Sequence, residues 1–169
     1  MNQPVVAILM GSDSDWPTLE AAVTTLKEFG IGCEAHVLSA HRSPEVVRKF
    51  VDEAPKRGVK VFIAAAGGAA HLAGVVAAHT IQPVIGVPIE SKCMGGLDSL
   101  LSTVQMPRGI PVATVAIGNA TNAALLAVQI LAVADAGLQQ RLTTFKQQLA
   151  AKTAKADQDL QSKVQGSKA

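Results

Sequence analysis

Ser39-Ala40-His41-Arg42 puts a titratable imidazole beside a fixed cation. Imidazole exchanges protons near neutral pH, and guanidinium clamps phosphate or carboxylate through several N–H donors. The pair suits proton transfer on an anionic ligand, with His41 as the acid–base group and Arg42 as the anion holder; Ser39 joins the binding candidates. Read alone, a loop histidine is more often solvated than catalytic, and it is Arg42 that shifts the balance. Two other stretches could complete such a site. Gly11-Ser12-Asp13-Ser14-Asp15 precedes a helix, where free N–H groups and the helix dipole favour an anion by about 0.3–1 kcal/mol. Ser12 suits that anion, whereas Asp15 would repel phosphate and suits ribose hydroxyls. Plain helix capping explains the same residues. Gly67-Gly68-Ala69-Ala70-His71 lets a ligand approach the backbone closely, or is simply a tight turn with His71 at a helix start.

The remaining reactive residues point elsewhere. Neither glycine stretch reads G-x-G-x-x-G, so the dinucleotide fingerprint fails. His36 and His79 read as structural, and Cys33 as strand core. Cys93 lies in a loop with no base placed beside it. The two cysteines and four histidines give no metal spacing and no disulfide framework, which suits a reducing cytoplasm. The formal net charge of +2 argues for neither nucleic acid nor an anionic membrane. The N-terminal stretch lacks a signal-peptide pattern. Residues 61–78 are long and apolar enough to imitate a membrane span, but Gly67-Gly68 and His71 favour a buried strand, a turn and a helix.

Those candidates need elements to carry them. Val5–Met10 is a continuous apolar run, as in a parallel strand covered on both faces. A helix follows from Trp16 to Gly30. Cys33–Leu38 predicts the second strand, and Ser43-Pro44 starts a helix that Pro55 ends. Val59–Ala66 predicts the third strand, followed by a short helix through His71 and Val75. Val84–Val87 predicts the fourth, residues 88–98 a loop, and Ser99–Val104 a helix. Pro111–Ile117 predicts the fifth strand. Asn119 or Thr121 caps an Ala/Leu helix to about Ala134, and a last helix runs from Leu138 to Leu149. Residues 1–150 thus form a single α/β domain, and residues 151–169 a polar, solvated or fraying tail. Alternating strands and helices imply a parallel sheet with helices on both faces, in strand order 2-1-3-4-5. Ligands bind at the carboxyl ends of such strands. That order crowds the loops carrying GSDSD, SAHR and GGAAH along one edge.

Five ordered motifs, GSDSDW (11–16), SAHRSPE (39–45), GGAAHLAG (67–74), PVIGVPIES (83–91) and DSLLSTVQMPRGIPVATVAIGNA (98–120), resemble the N5-carboxyaminoimidazole ribonucleotide mutase family of bacterial purine biosynthesis, class I. The resemblance spans roughly residues 4–150. It implies a flavodoxin-like sheet with an extra C-terminal helix, a homo-octamer, and a reaction without metal or organic cofactor. The carboxylate would move from the exocyclic nitrogen of a phosphoribosyl-aminoimidazole to ring carbon C4. It further implies that His41 is the general acid–base, that Ser12, Asp15 and Arg42 bind the nucleotide, and that Gly67, Gly68 and His71 line the base and carboxylate pocket. Ala65 and Ala73 depart from the family's usual Gly and Pro. The nearest rival is the class II carboxylase, which uses carbon dioxide directly. A flavin carrier of the same fold would need aromatic stacking, for which only Trp16 is nearby, and a non-catalytic nucleotide-binding module is the third reading.

Overall fold

The computed structural model describes residues 3–166. Its centre is a five-stranded parallel sheet in the order β2-β1-β3-β4-β5. The strands are β1 (Val6–Met10), β2 (Cys33–Val37), β3 (Val61–Gly67), β4 (Val84–Ile89) and β5 (Ala113–Thr114). The helices are α1 (Trp16–Glu28), α2 (Pro44–Glu53), α3 (Leu72–Ala78), α4 (Leu97–Val104), α5 (Ala120–Ala132) and α6 (Ala136–Gly166). The chain divides into two compact units, one up to Ile130 and one from Leu131 onward.

In the first unit, β1 is buried at every residue, and β3 at its first five. Both are central strands, and their unbroken apolar runs follow from being covered on two faces. β2 lies at the sheet edge, and none of its residues is fully buried. One face of the core joins Leu9, Phe62 and Ala64 to Val47 and Val51 of α2 and Leu72 and Val76 of α3. Ala65 and Ala73, the two departures noted above, are buried at 0% and 2% exposure and fill core.

Several elements differ in their bounds from the sequence expectation. β5 is two residues long rather than seven, pairing only Ile85 with Ala113 and Gly86 with Thr114. Pro111 has no N–H to give a ladder, and an edge strand can stop early. β4 runs two residues further than expected, to Ile89, which carries the following loop to the sheet's carboxyl edge. α4 starts at Leu97, two residues before Ser99, behind Gly96 in the left-handed region at φ 93°.

In the second unit the last helix runs further than expected. α6 continues through Gly166 as one 31-residue helix, and from Lys146 onward its described residues are exposed. The segment is solvated but helical. Ala, Lys and Gln dominate it, and all three are strong helix formers. Residues 167–169 of the expected tail lie outside the described residues. Among the described residues no helix is long and apolar enough to cross a membrane.

Candidate active site

Parallel strands end together, so the loops after β1, β2, β3 and β4 open on one edge. There they surround a cavity of about 430 Å³. All eight residues singled out in the sequence border it: Ser12 and Asp15 after β1, Ser39, His41 and Arg42 after β2, Gly67 at the end of β3, and Gly68 and His71 after it.

The β1 loop is held by its own side chains. Residues Asp13–Asp15 form a 3-10 turn capped by Ser12, with a reciprocal capping box. Asp15 Oδ2 accepts from the Ser12 N–H at 3.2 Å, and Ser12 Oγ accepts from the Ser14 N–H at 3.3 Å. The amides of Ser12 and Ser14 are therefore occupied, unlike the free donors expected at this helix start. Burial pushes the Asp15 carboxyl above its ordinary value, against hydrogen bonds from Ser12 and Ser14 that pull it down.

Arg42 ties two loops together. It donates from one terminal nitrogen to the Gly11 carbonyl at 2.7 Å and from Nε to Ser39 Oγ at 3.3 Å. Ser39 Oγ also accepts from the Arg42 N–H at 3.2 Å. The guanidinium has five N–H donors, so this bracing leaves others for an anion. Ser39 fixes the arginine rather than standing apart from it.

His41 Nε2 lies 2.9 Å from His71 Nδ1, with the rings edge-on at 89°. Sequence spacing of thirty residues concealed this contact; adjacent β2 and β3 loops would have been needed to foresee it, and β1 lies between those strands. One ring must supply an N–H and the other a lone pair. The pair therefore carries a proton that can change sides. His71 sits just before α3 and makes no side-chain cap bond, so the capping role left open for it is not the one it plays. Gly68 adopts φ 65°, a conformation that favours glycine, and turns the chain toward that histidine.

The sequence reading passed over the β4 wall of Ile89, Glu90 and Ser91. The carboxyl-end rule that singled out the other loops applies equally to β4, but its residues 88–91 carry no imidazole or guanidinium to attract notice. His36 instead meets Glu34 at 3.3 Å and the Phe50 ring. Cys33 is half-buried, its thiol pushed up chiefly by burial, and Cys93 is exposed. Trp16 borders a different hollow with Met10, Ala35 and Val37, away from the cavity where a flavin would have to stack. Among the described residues no three His, Cys, Asp or Glu side chains gather as a metal set.

The chain matches the family model described as AIR carboxylase over residues 5–152. It belongs to the AIR carboxylase family. An N5-carboxyaminoimidazole ribonucleotide mutase from Saccharolobus solfataricus is 57% identical over 146 residues, 86% of this chain and 92% of that protein. A phosphoribosylaminoimidazole carboxylase from Saccharomyces cerevisiae is 54% identical over 145 residues, 86% of this chain but only 25% of its own length. The crystal structure of Treponema denticola PurE superposes with a TM-score of 0.86 at 32% identity, covering 93% of this chain and 98% of that one. The AIR carboxylase family thus accounts for the fold and for almost all of the first unit, and its match ends at residue 152, within α6.

Proposed function

We propose that this enzyme is an N5-carboxyaminoimidazole ribonucleotide mutase. It converts 5-carboxyamino-1-(5-phosphoribosyl)imidazole to 5-amino-1-(5-phosphoribosyl)imidazole-4-carboxylate in purine biosynthesis. The observation that carries the site assignment is the His41–His71 contact at 2.9 Å, beside the Arg42 bracket and against a glycine wall. The reaction needs a group that gives one proton and recovers one. His41 protonates the carbamate nitrogen, the N–C bond breaks, and carbon dioxide leaves with its electron pair retained on nitrogen. The enamine-like C4 attacks that carbon dioxide, forming the new C–C bond. His41 then takes the C4 proton, the ring regains aromaticity, and the histidine ends as it began. His71 accompanies the change by accepting from or donating to the partner ring.

Arg42 and Ser12 hold the phosphoribosyl group, with Asp15 toward the ribose hydroxyls. Gly67 and Gly68 keep side chains away from the flat base and the transient carbon dioxide. No metal or organic cofactor is required by this sequence of steps. The working form is a homo-octamer in the cytoplasm; free Cys33 and Cys93 suit a reducing compartment. Exposed apolar residues Leu97, Leu101 and Val104 on one face of α4 support burial between subunits.

The test is to supply the carbamate without bicarbonate. C4-carboxylated product is the expected result, and its absence would sink the reading. A strict requirement for bicarbonate with the uncarboxylated ribonucleotide would favour direct carboxylation, the activity in the yeast relative's name.

A further inference from the structure

The hydroxyl and carboxylate groups at the start of α4 have no part in the steps above, yet they hold two walls of the cavity. Ser99 is fully buried at 0% exposure. Its Oγ accepts from the Gly68 N–H at 2.8 Å. Asp98 Oδ1 accepts from the Ser99 N–H at 2.9 Å and from the Ser91 hydroxyl at 2.6 Å. Ser91 Oγ in turn accepts from the N–H groups of Met94 and Gly96, at 3.2 and 3.3 Å. The line Gly68–Ser99–Asp98–Ser91 thus runs behind the cavity from the β3 loop to the β4 loop.

We infer that Asp98 and Ser99 are positioning residues that set the Gly67–His71 turn and Ser91 as one rigid wall, and so hold His71 against His41. Neither residue caps its helix: Gly96 occupies the cap position and makes no side-chain cap bond. A buried hydroxyl must find a partner, and Ser99 finds the amide of a left-handed glycine three residues before His71. Ser102 and Thr103, one turn further along α4, direct their hydroxyls to Asp98 and Ser99 carbonyls and also approach the Gly68 and Ala70 carbonyls at 3.3 and 3.5 Å. The turn is therefore gripped from one helix face. The Ser91 hydroxyl holds the Asp98 carboxyl below its ordinary value, as hydrogen bonding to the charged form does.

The inference rests on the mutase reading for its catalytic consequence. The nucleotide anchors Ser12 and Arg42 lie on other loops. Loosening the β3 wall should therefore damage the chemical step and leave binding nearly intact. In Ser99→Ala, kcat should fall about 10-fold or more, since small misplacements at a reacting centre are costly. Substrate affinity by calorimetry should stay within about 2-fold, and more carbon dioxide should escape per C4-carboxylated product. Asp98→Ala, at a half-exposed position, removes the acceptor of both bonds, should act in the same direction and covers the case in which Ser99→Ala fails to fold. Imidazole nitrogen spectra give a readout independent of turnover: the His71 signals should change in both variants. Unchanged kcat and unchanged His71 signals would overturn the inference, as would equal losses in kcat and affinity. Absence of C4-carboxylated product from the wild type would instead defeat the functional reading, and the His71 spectra would still decide the positioning role.

Discussion

At the residue scale, the proposed mechanism divides the work between His41 and Arg42 by chemistry. An imidazole can give and recover a proton; a guanidinium cannot. Arg42→Ala should weaken binding of the phosphorylated substrate by about 1.5–3 kcal/mol, the range for hydrogen bonds to charged groups, with titration calorimetry as the measurement. Unchanged affinity would rule out the phosphate contact. Part of any loss would come from releasing the Gly11 carbonyl, which Arg42 holds at 2.7 Å. These two residues were legible as candidates because an imidazole stands beside a fixed cation at the end of a strand; His41 read alone would have passed for a solvated loop histidine. Their surroundings were less so. The His41–His71 contact joins loops thirty residues apart. The occupied amides of Ser12 and Ser14 follow the capping alternative that Ser12 and Asp15 offered, rather than the free anion-binding donors.

At the element scale, the capping box at Ser12–Asp15 sets a pH dependence. Burial raises the Asp15 carboxyl from its ordinary value of 3.8. The folded chain then holds that proton more tightly than the unfolded chain, so the contribution to stability is fully present below 3.8 and is lost as pH rises through the raised value. Asp15→Asn carries no such titration. In urea unfolding, the stability of the wild type relative to Asp15→Asn should therefore decline as pH rises through the acid range above 3.8. A difference that grows with pH would contradict it. Elements with one dominant signal were readable in advance. β1 and β3 are apolar runs between turn residues, and α2 is bracketed by Ser43-Pro44 and Pro55. β5 was overestimated because apolar content at 111–117 conceals a proline start at a sheet edge. The tail was underestimated because polarity outweighed helix propensity in the reading of residues 151–166.

At the scale of the whole molecule, strand order brings the chemistry together. The order β2-β1-β3-β4-β5 gathers four loops at one sheet edge; alternation implied the parallel sheet, and five short strands suggested that order. What the sequence did not mark was which apolar surface stays open. The Ala-rich α5 is largely buried within the chain at Ala123, Ala124, Ala127 and Val128. Leu97, Leu101 and Val104 of α4 are instead exposed, as are Leu149, Leu160 and Val164 of α6. Light scattering at micromolar concentration should give the mass of eight 17.4 kDa chains; a monomer would refute the octamer.

The central claim is that one carboxyl group moves within one molecule by way of His41. Its most direct test is isotopic: carbamate carrying a labelled carboxyl group, unlabelled bicarbonate in solution, wild type and His41→Asn side by side. The wild type should retain most of the label at C4. His41→Asn should bind substrate while turning over at least about 10²-fold more slowly. Label washed out into bicarbonate, or near-wild-type turnover by His41→Asn, would contradict the claim.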